Sequence, residues 1–267
     1  MTIFYPREIV RISIEAGQAI MDVYESSDDI EVQTKNDDSP LTKADLAAHD
    51  AIVRGLTSLD PNTPIVSEEG RVGNPLDSDV SWLVDPLDGT KEFIKRNGMF
   101  TVNIALMKKD GARWRPAFGV VHAPATKTTW FGGESIPATR IADYGRAFIT
   151  VNNNPVSPIK LVASGSHRAE RDERFAEQIG RHDLVRMGSS LKACVVADGS
   201  ADLYPRFGPT SCWDIAAAHA VVESAGGFVL GPDCQPLDYD LVGEVLNPHF
   251  LVSCSADWNE IWAQNQD

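Results

Sequence analysis

The segment WLVDPLDGT, Trp82 to Thr90, closes an apolar run with two aspartates three residues apart, Pro86 between them and Gly89 directly after. A stiff turn at the end of a buried strand can aim Asp85 and Asp88 at one point, and a hard cation such as magnesium needs oxygen ligands held without slack. The Leu87 carbonyl offers a further oxygen. Gly89 and Thr90 then open KEFIKR, a run of good helix formers whose first turn would present free backbone N–H groups, a setting that attracts phosphate. Cation ligands beside an anion cradle suit phosphoryl transfer, whose catalysis rests on positioning and charge neutralisation.

Taken alone, the aspartate pair is equally well explained as a strand end and a helix cap. The sequence SEEG at Ser67 to Gly70 shifts that balance, because it sets Glu68 and Glu69 after a second apolar strand, PIV, able to end beside the first. Several carboxylates at one sheet edge call for cations. Asp214, in SCWDIAAAHAVVESAGG, stands immediately before an alanine-rich helix closed by Gly226 and Gly227. By itself it reads as an N-cap, and the small residues as a sign of close helix packing.

The elements that must position these groups follow from apolar spacing. Ile9, Ile12, Ala16, Ile20 and Val23 predict a helix from Arg7 to Tyr24. Thr42 with Asp45 is a variant capping box, opening a second helix to about Leu59. Strand patterns occupy Ile30–Thr34, Pro64–Ser67, Ser81–Val84, Phe100–Met107, Pro116–His122 and Lys127–Phe131, with turn chemistry such as KKDG between them, giving an α+β first half with an antiparallel sheet. The run TVNNNPVSP disfavours helix, and a boundary is expected there, with halves at 1–154 and 155–267. Beyond it, strands at Lys160–Ser164, Leu184–Arg186, Ala201–Tyr204, Gly227–Leu230 and Phe250–Ser253 alternate with helices at Arg171–Ile179, Ser190–Asp198 and Asp214–Ala225, the signature of a layered α/β half.

The bulk properties set limits. The 267 residues, 43% hydrophobic and 23% charged, suit one compact body of two halves. With 24 Lys plus Arg against 38 Asp plus Glu, the net charge of −14 opposes long nucleic acids as partners, although cations can invert the potential inside one cleft. No apolar run approaches a bilayer span and the N-terminus acquires charge too early for a secretory signal, so a cytoplasmic protein without an integral membrane segment is expected, loose peripheral association aside. Cys194, Cys212, Cys234 and Cys254 lack CxxC spacing and are expected to be reduced and mostly buried.

The segments SEE, WLVDPLDGTKEFIKRNGMFTVNIAL and WDIAAAHAVVESAGG resemble, in order, the signatures of the inositol monophosphatase superfamily of metal- and lithium-sensitive phosphatases. Within it, KEFIKRNGMFTVNIAL, GSSLK at Gly188 to Lys192 and LYPRFGPT at Leu203 to Thr210 are similar to bacterial 3'(2'),5'-bisphosphate nucleotidases of the CysQ type. The resemblance covers nearly the whole chain. It implies an α/β (α+β) fold, an αβαβα layered sandwich of the inositol monophosphatase and fructose bisphosphatase type, with the active site between the halves. It further implies a first magnesium on Glu68, Asp85 and the Leu87 carbonyl, a second on Asp85, Asp88 and Asp214, and in some relatives a weaker third, with Glu68 helping to hold the attacking water.

The same resemblance assigns Thr90, with Asp45, to orienting or deprotonating that water, which attacks the 3'-phosphate of adenosine 3',5'-bisphosphate in line. Gly89 and Thr90 would hold the scissile phosphate, and Asp214 a sugar hydroxyl. For the rest of this small bisphosphorylated nucleotide the sequence offers Ser166, His167, Ser190, Lys192 and Arg206, the last two for the distal phosphate. Met99 stands where the family pattern leads one to expect a polar or acidic residue, and SGSH replaces a more basic segment. An inositol-phosphate or sugar-phosphate phosphatase is the competing reading, because the metal core alone does not reveal the leaving group. A non-catalytic phosphate- or metal-binding regulator is remoter, since no expected ligand is missing. A monomer is expected.

Overall fold

Pro6 opens the first helix, α1 (Pro6–Tyr24), where its fixed φ suits the first turn. Ile9, Ile12, Ala16 and Ile20 form its buried stripe and pack against Ala44, Ala48, Ile52 and Leu56 of α2 (Lys43–Leu59). A two-stranded antiparallel ribbon, β1 (Val32–Thr34) and β2 (Pro40–Thr42), leads into α2. Thr42 caps that helix and closes the predicted box with Asp45. The computed structural model describes residues 6–26, 32–34, 40–163 and 170–266, so the expected contacts of Ser166 and His167 lie outside the described residues.

The next strands are β3 (Ile65–Ser67), β4 (Gly70–Val72), β5 (Val80–Asp88), β6 (Thr101–Asp110), β7 (Arg113–Ala123), β8 (Thr128–Gly133), β9 (Ile136–Ala142) and β10 (Gly145–Phe148). They form one eight-stranded sheet in the order β10-β9-β8-β7-β6-β5-β3-β4. All pairs are antiparallel except β3 with β5, which run parallel. A short helix, α3 (Thr90–Ile94), joins β5 to β6.

The remaining strands, β11 (Ile159–Ala163), β12 (His182–Arg186), β13 (Leu203–Arg206), β14 (Phe228–Leu230) and β15 (Phe250–Ser253), make a five-stranded sheet ordered β12-β11-β13-β15-β14. Four helices accompany it: α4 (Glu170–Gln178), α5 (Leu191–Ala197), α6 (Cys212–Ser224) and α7 (Asn259–Ala263).

Strand alternation builds the layers. Trp82, Val84, Val102, Ile104, Phe118 and Val120 of the first sheet face α1 and α2, whereas Leu83, Ala105, Met107 and Val121 join a core with α5 and α6. Val162, Tyr204, Phe250 and Val252 of the second sheet enter that same central core. Ile159, Leu161, Leu203 and Leu251 turn instead to Phe175 and Ile179 at α4 and Trp262 of α7. Five layers result, αβαβα, with α5 and α6 between the sheets. Gly119 of β7 permits the close approach of α6, because a Cβ there would stand 2.0 Å from the Ala217 carbonyl oxygen.

The expected elements occur, with their ends moved by a few residues. The sequence patterns do not announce β2, β4, β9, β10 and α7; β10 is exposed throughout and so carries no apolar alternation. Nor does β5 stop before its aspartates, as the expected turn required: Asp85, Pro86, Leu87 and Asp88 all belong to the strand. Asp214 is not an N-cap either. Ser211 is the cap, and Asp214, three residues on, returns its carboxylate to the Ser211 N–H at 2.9 Å. No disulfide joins the cysteines; Cys194, Cys212 and Cys254 are buried and Cys234 half-buried.

Candidate active site

A regular strand would turn Asp85 and Asp88 to opposite faces, because their spacing is odd. The register prevents this: Asp85 pairs with Asn103 and Asp88 with Thr101, so one extra residue on β5 makes a bulge between them. A bulge re-aims side chains in this way. The Asp85 Oδ1 then accepts the Leu87 N–H at 3.0 Å, which fixes the rotamer. Gly89 follows with φ 91°, and a Cβ there would meet the Met99 carbonyl oxygen at 3.0 Å, so this corner needs glycine.

The first turn of α6 brings Asp214 to the same place, and one carboxylate oxygen from each of Asp85, Asp88 and Asp214 lies within 4.8 Å of the others. The parallel pairing of β3 with β5 sets Ser67 opposite Val84, and the next residue, Glu68, donates its N–H to the Val84 carbonyl at 3.0 Å. Glu68 therefore enters beside Asp85 and lines a cavity of about 400 Å³ with Asp85, Leu87, Asp88, Thr90 and Asp214. Asp45, 1% exposed, divides its carboxylate: Oδ2 takes the Thr42 N–H at 2.7 Å, and Oδ1 stands 3.3 Å from the Thr90 hydroxyl. Helix capping and contact with the site are thus two ends of one side chain. The Thr90 hydroxyl is also 3.3 Å from the Leu87 carbonyl, and has one proton to give.

Burial and the charges of Glu68, Asp88, Asp214 and Asp45 push the Asp85 carboxyl well above the usual carboxylate range. Asp214 is raised to about 8 by burial and then by Asp88, against the opposing Ser211 N–H. Asp88 rises only to about 6, because Lys192, the Ser190 N–H and Asn103 counter its burial. Carboxylates this close and dry repel one another, and a hard cation removes the conflict.

A second cavity, about 160 Å³, shares Asp88, Gly89, Glu92 and Asp214 with the first and adds Lys192 and Arg206. Burial lowers the Lys192 pKa. Its Nζ donates to the Ser189 carbonyl at 2.6 Å and sits 5.5 Å from the centre of the Tyr204 ring. Arg206 gives one nitrogen to the Pro209 carbonyl at 2.9 Å, while its shielded Nε has no hydrogen-bond partner among the described residues.

Ser190 lines this second cavity, and its polar groups are engaged within the protein: it is 3% exposed, its hydroxyl is bound to Thr101 and Asn103, and its N–H goes to Asp88. Asn103, Thr101 and Glu92 escaped the sequence reading; the first two are polar residues inside the apolar run FTVNIAL, which is a usable signal. Met99 contributes its backbone to the corner at Gly89 and packs its side chain on the central core.

The family model described as inositol monophosphatase family matches residues 7–262. This chain belongs to the inositol monophosphatase family. It is 44% identical over 252 residues to the 3'(2'),5'-bisphosphate nucleotidase CysQ of Salmonella typhimurium, covering 92% of this chain and 98% of that one. The Escherichia coli K12 protein of the same name is 44% identical over 248 residues, with the same coverage. Among solved structures, CysQ from Bacteroides thetaiotaomicron, a bacterial member of the inositol monophosphatase family, superposes with a TM-score of 0.79 at 35% identity, covering 93% of this chain and 97% of that one. Inositol monophosphatase family enzymes use divalent metal ions, and the all-oxygen, buried carboxylate set here fits such ions. Among the described residues no helix is long and apolar enough to cross a membrane.

Proposed function

We propose that this chain is a cytoplasmic 3'(2'),5'-bisphosphate nucleotidase that hydrolyses the 3'-phosphate of adenosine 3',5'-bisphosphate to AMP and inorganic phosphate. The observation that carries the reading is the junction of two cavities, one lined by Glu68, Asp85, Asp88 and Asp214 and one in which the cations Lys192 and Arg206 join Asp88, Glu92 and Asp214, with Asp88, Gly89, Glu92 and Asp214 in the shared wall. A substrate with two phosphates a few bonds apart fits such a pair. The names of the relatives at 44% identity point to the same substrate class.

In this reading Glu68, Asp85 and the Leu87 carbonyl would hold one magnesium, and Asp85, Asp88 and Asp214 a second. The ions supply charge neutralisation at the phosphate oxygens and a more acidic water. Backbone N–H groups at Gly89 and Thr90 orient the scissile phosphate. Thr90 positions the attacking water and, with Asp45 behind it at 3.3 Å, provides the path for its proton. The water oxygen forms a bond to phosphorus, the P–O3' bond breaks, and the leaving oxygen takes a proton to become the 3'-hydroxyl. Lys192 and the Arg206 Nε hold the 5'-phosphate.

A phosphate-release panel tests the assignment: adenosine 3',5'-bisphosphate, its 2',5' isomer, the sulfated analogue, inositol 1-phosphate and fructose 1,6-bisphosphate, each with and without magnesium. The reading expects magnesium-dependent release, fastest on the nucleotides. Preference for inositol 1-phosphate or fructose 1,6-bisphosphate would assign the site to the other branch of the family.

A further inference from the structure

Asn103 is 1% exposed, and alternation along β6 sets it on the sheet face from which Ala105 and Met107 meet α5 and α6. A buried amide must find partners, and those of Asn103 belong to the site. Its Oδ1 accepts from the Ser190 hydroxyl at 2.8 Å, and its Nδ2 donates over 3.4 Å to Asp88 Oδ2. Ser190 also sends its backbone N–H to that same Oδ2 at 2.5 Å. The Ser190 hydroxyl has one proton, already given to Asn103, so in its 2.8 Å contact with Thr101 the threonine hydroxyl must be the donor. The chain of bonds therefore runs one way, from Thr101 to Ser190 to Asn103 to Asp88.

This order has a consequence at the carboxylate. Asp88 Oδ2 is bonded twice, whereas Oδ1 carries no hydrogen bond among the described residues. The two donors come from different elements, one from β6 and one from the turn before α5, 87 residues apart in sequence. Two donors on one oxygen stop the carboxylate from rotating. A pre-aimed ligand also binds a cation without first losing side-chain entropy.

We infer that Asn103 is a positioning residue: with Ser190 it locks the Asp88 carboxylate so that Oδ1 is presented to a divalent cation. The inference rests on the reading of Asp88 as a cation ligand and not on the choice of substrate.

The test is Mn²⁺ binding to the intact, substrate-free protein, followed by electron paramagnetic resonance. Asn103→Ala should weaken Mn²⁺ binding by roughly 10-fold or more, the scale of other outer-shell partners of metal ligands. Thr101→Val, nearly isosteric, removes only the far end of the chain and should weaken binding a few-fold. Asn152→Ala, which cuts a comparable 2.7 Å bond to Asp202 away from the site, should leave affinity unchanged and so controls for general loosening. Unchanged Mn²⁺ affinity in folded Asn103→Ala would overturn the inference. If that variant does not fold, unchanged affinity in Thr101→Val would overturn it, as would an equal loss in Asn152→Ala. Failure of the unsubstituted protein to bind Mn²⁺ would remove the cation reading and this inference with it, whereas an altered substrate preference would leave the inference standing.

Discussion

Replacing Asp85 with asparagine separates a charge role from a structural one, because the two predict opposite signs. The amide has nearly the same shape as the carboxylate and keeps an oxygen for the Leu87 N–H, which Asp85 accepts at 3.0 Å. What changes is one negative charge within 4.8 Å of two others. At that distance, with an effective dielectric near 20, each like-charge pair costs about 3 kcal/mol. Partial protonation in the metal-free protein relieves some of this, since burial and its neighbours already raise the Asp85 pKa. A net gain of about 2 kcal/mol in the chelated variant is therefore expected, equivalent to a rise of roughly 5 °C in Tm for a chain this size. With excess magnesium the sign should reverse: the wild type gains stability by binding, the variant gains little, and its turnover is abolished. Differential scanning fluorimetry at pH 8 in EDTA and in magnesium reads both. A chelated variant that melts below the wild type, or one that keeps the full magnesium shift, would refute the reasoning.

Lys192→Met should raise KM for adenosine 3',5'-bisphosphate by roughly 10- to 100-fold with kcat little changed, and should leave hydrolysis of adenosine 3'-monophosphate nearly untouched; steady-state kinetics on the two substrates check this. In the chelated protein Asp214 titrates at about 8, above its unfolded value. A raised folded pKa means that this stabilisation is complete below the unfolded pKa and is lost as pH rises through the folded one. The Tm in EDTA should thus fall across roughly pH 4 to 8, and magnesium should flatten the profile. Gly119→Ala would place a Cβ 2.0 Å from the Ala217 carbonyl oxygen, so it should cost about 3 kcal/mol or more and displace α6 with Asp214, visible as a lowered Tm and lost turnover.

Much of this site is legible along the chain because its central groups sit in one short segment. Asp85, Asp88, Gly89 and Thr90 fall within six residues, and the apolar strand before them and the helix formers after them announce where they stand. The contribution of Asp214 depends on a helix distant in sequence, and its alanines hint at that packing without showing what α6 packs on. Other features are invisible to local pattern. The bulge that turns Asp85 and Asp88 to one side exists only in the register of β5 on β6. The partners of the Ser190 hydroxyl in GSSLK, Asn103 and Thr101, stand nearly ninety residues earlier in the chain. Asp45 offered two explanations, cap or proton acceptor, and they do not compete, because one carboxylate oxygen takes the Thr42 N–H while the other stands 3.3 Å from the Thr90 hydroxyl.

Following adenosine 3',5'-bisphosphate by ³¹P NMR with magnesium present tests the central claim most directly. The two-cavity site predicts that the 3'-phosphate signal disappears into inorganic phosphate while the 5'-phosphate signal persists as AMP. Release of the 5'-phosphate instead, or no change in either signal, would contradict it.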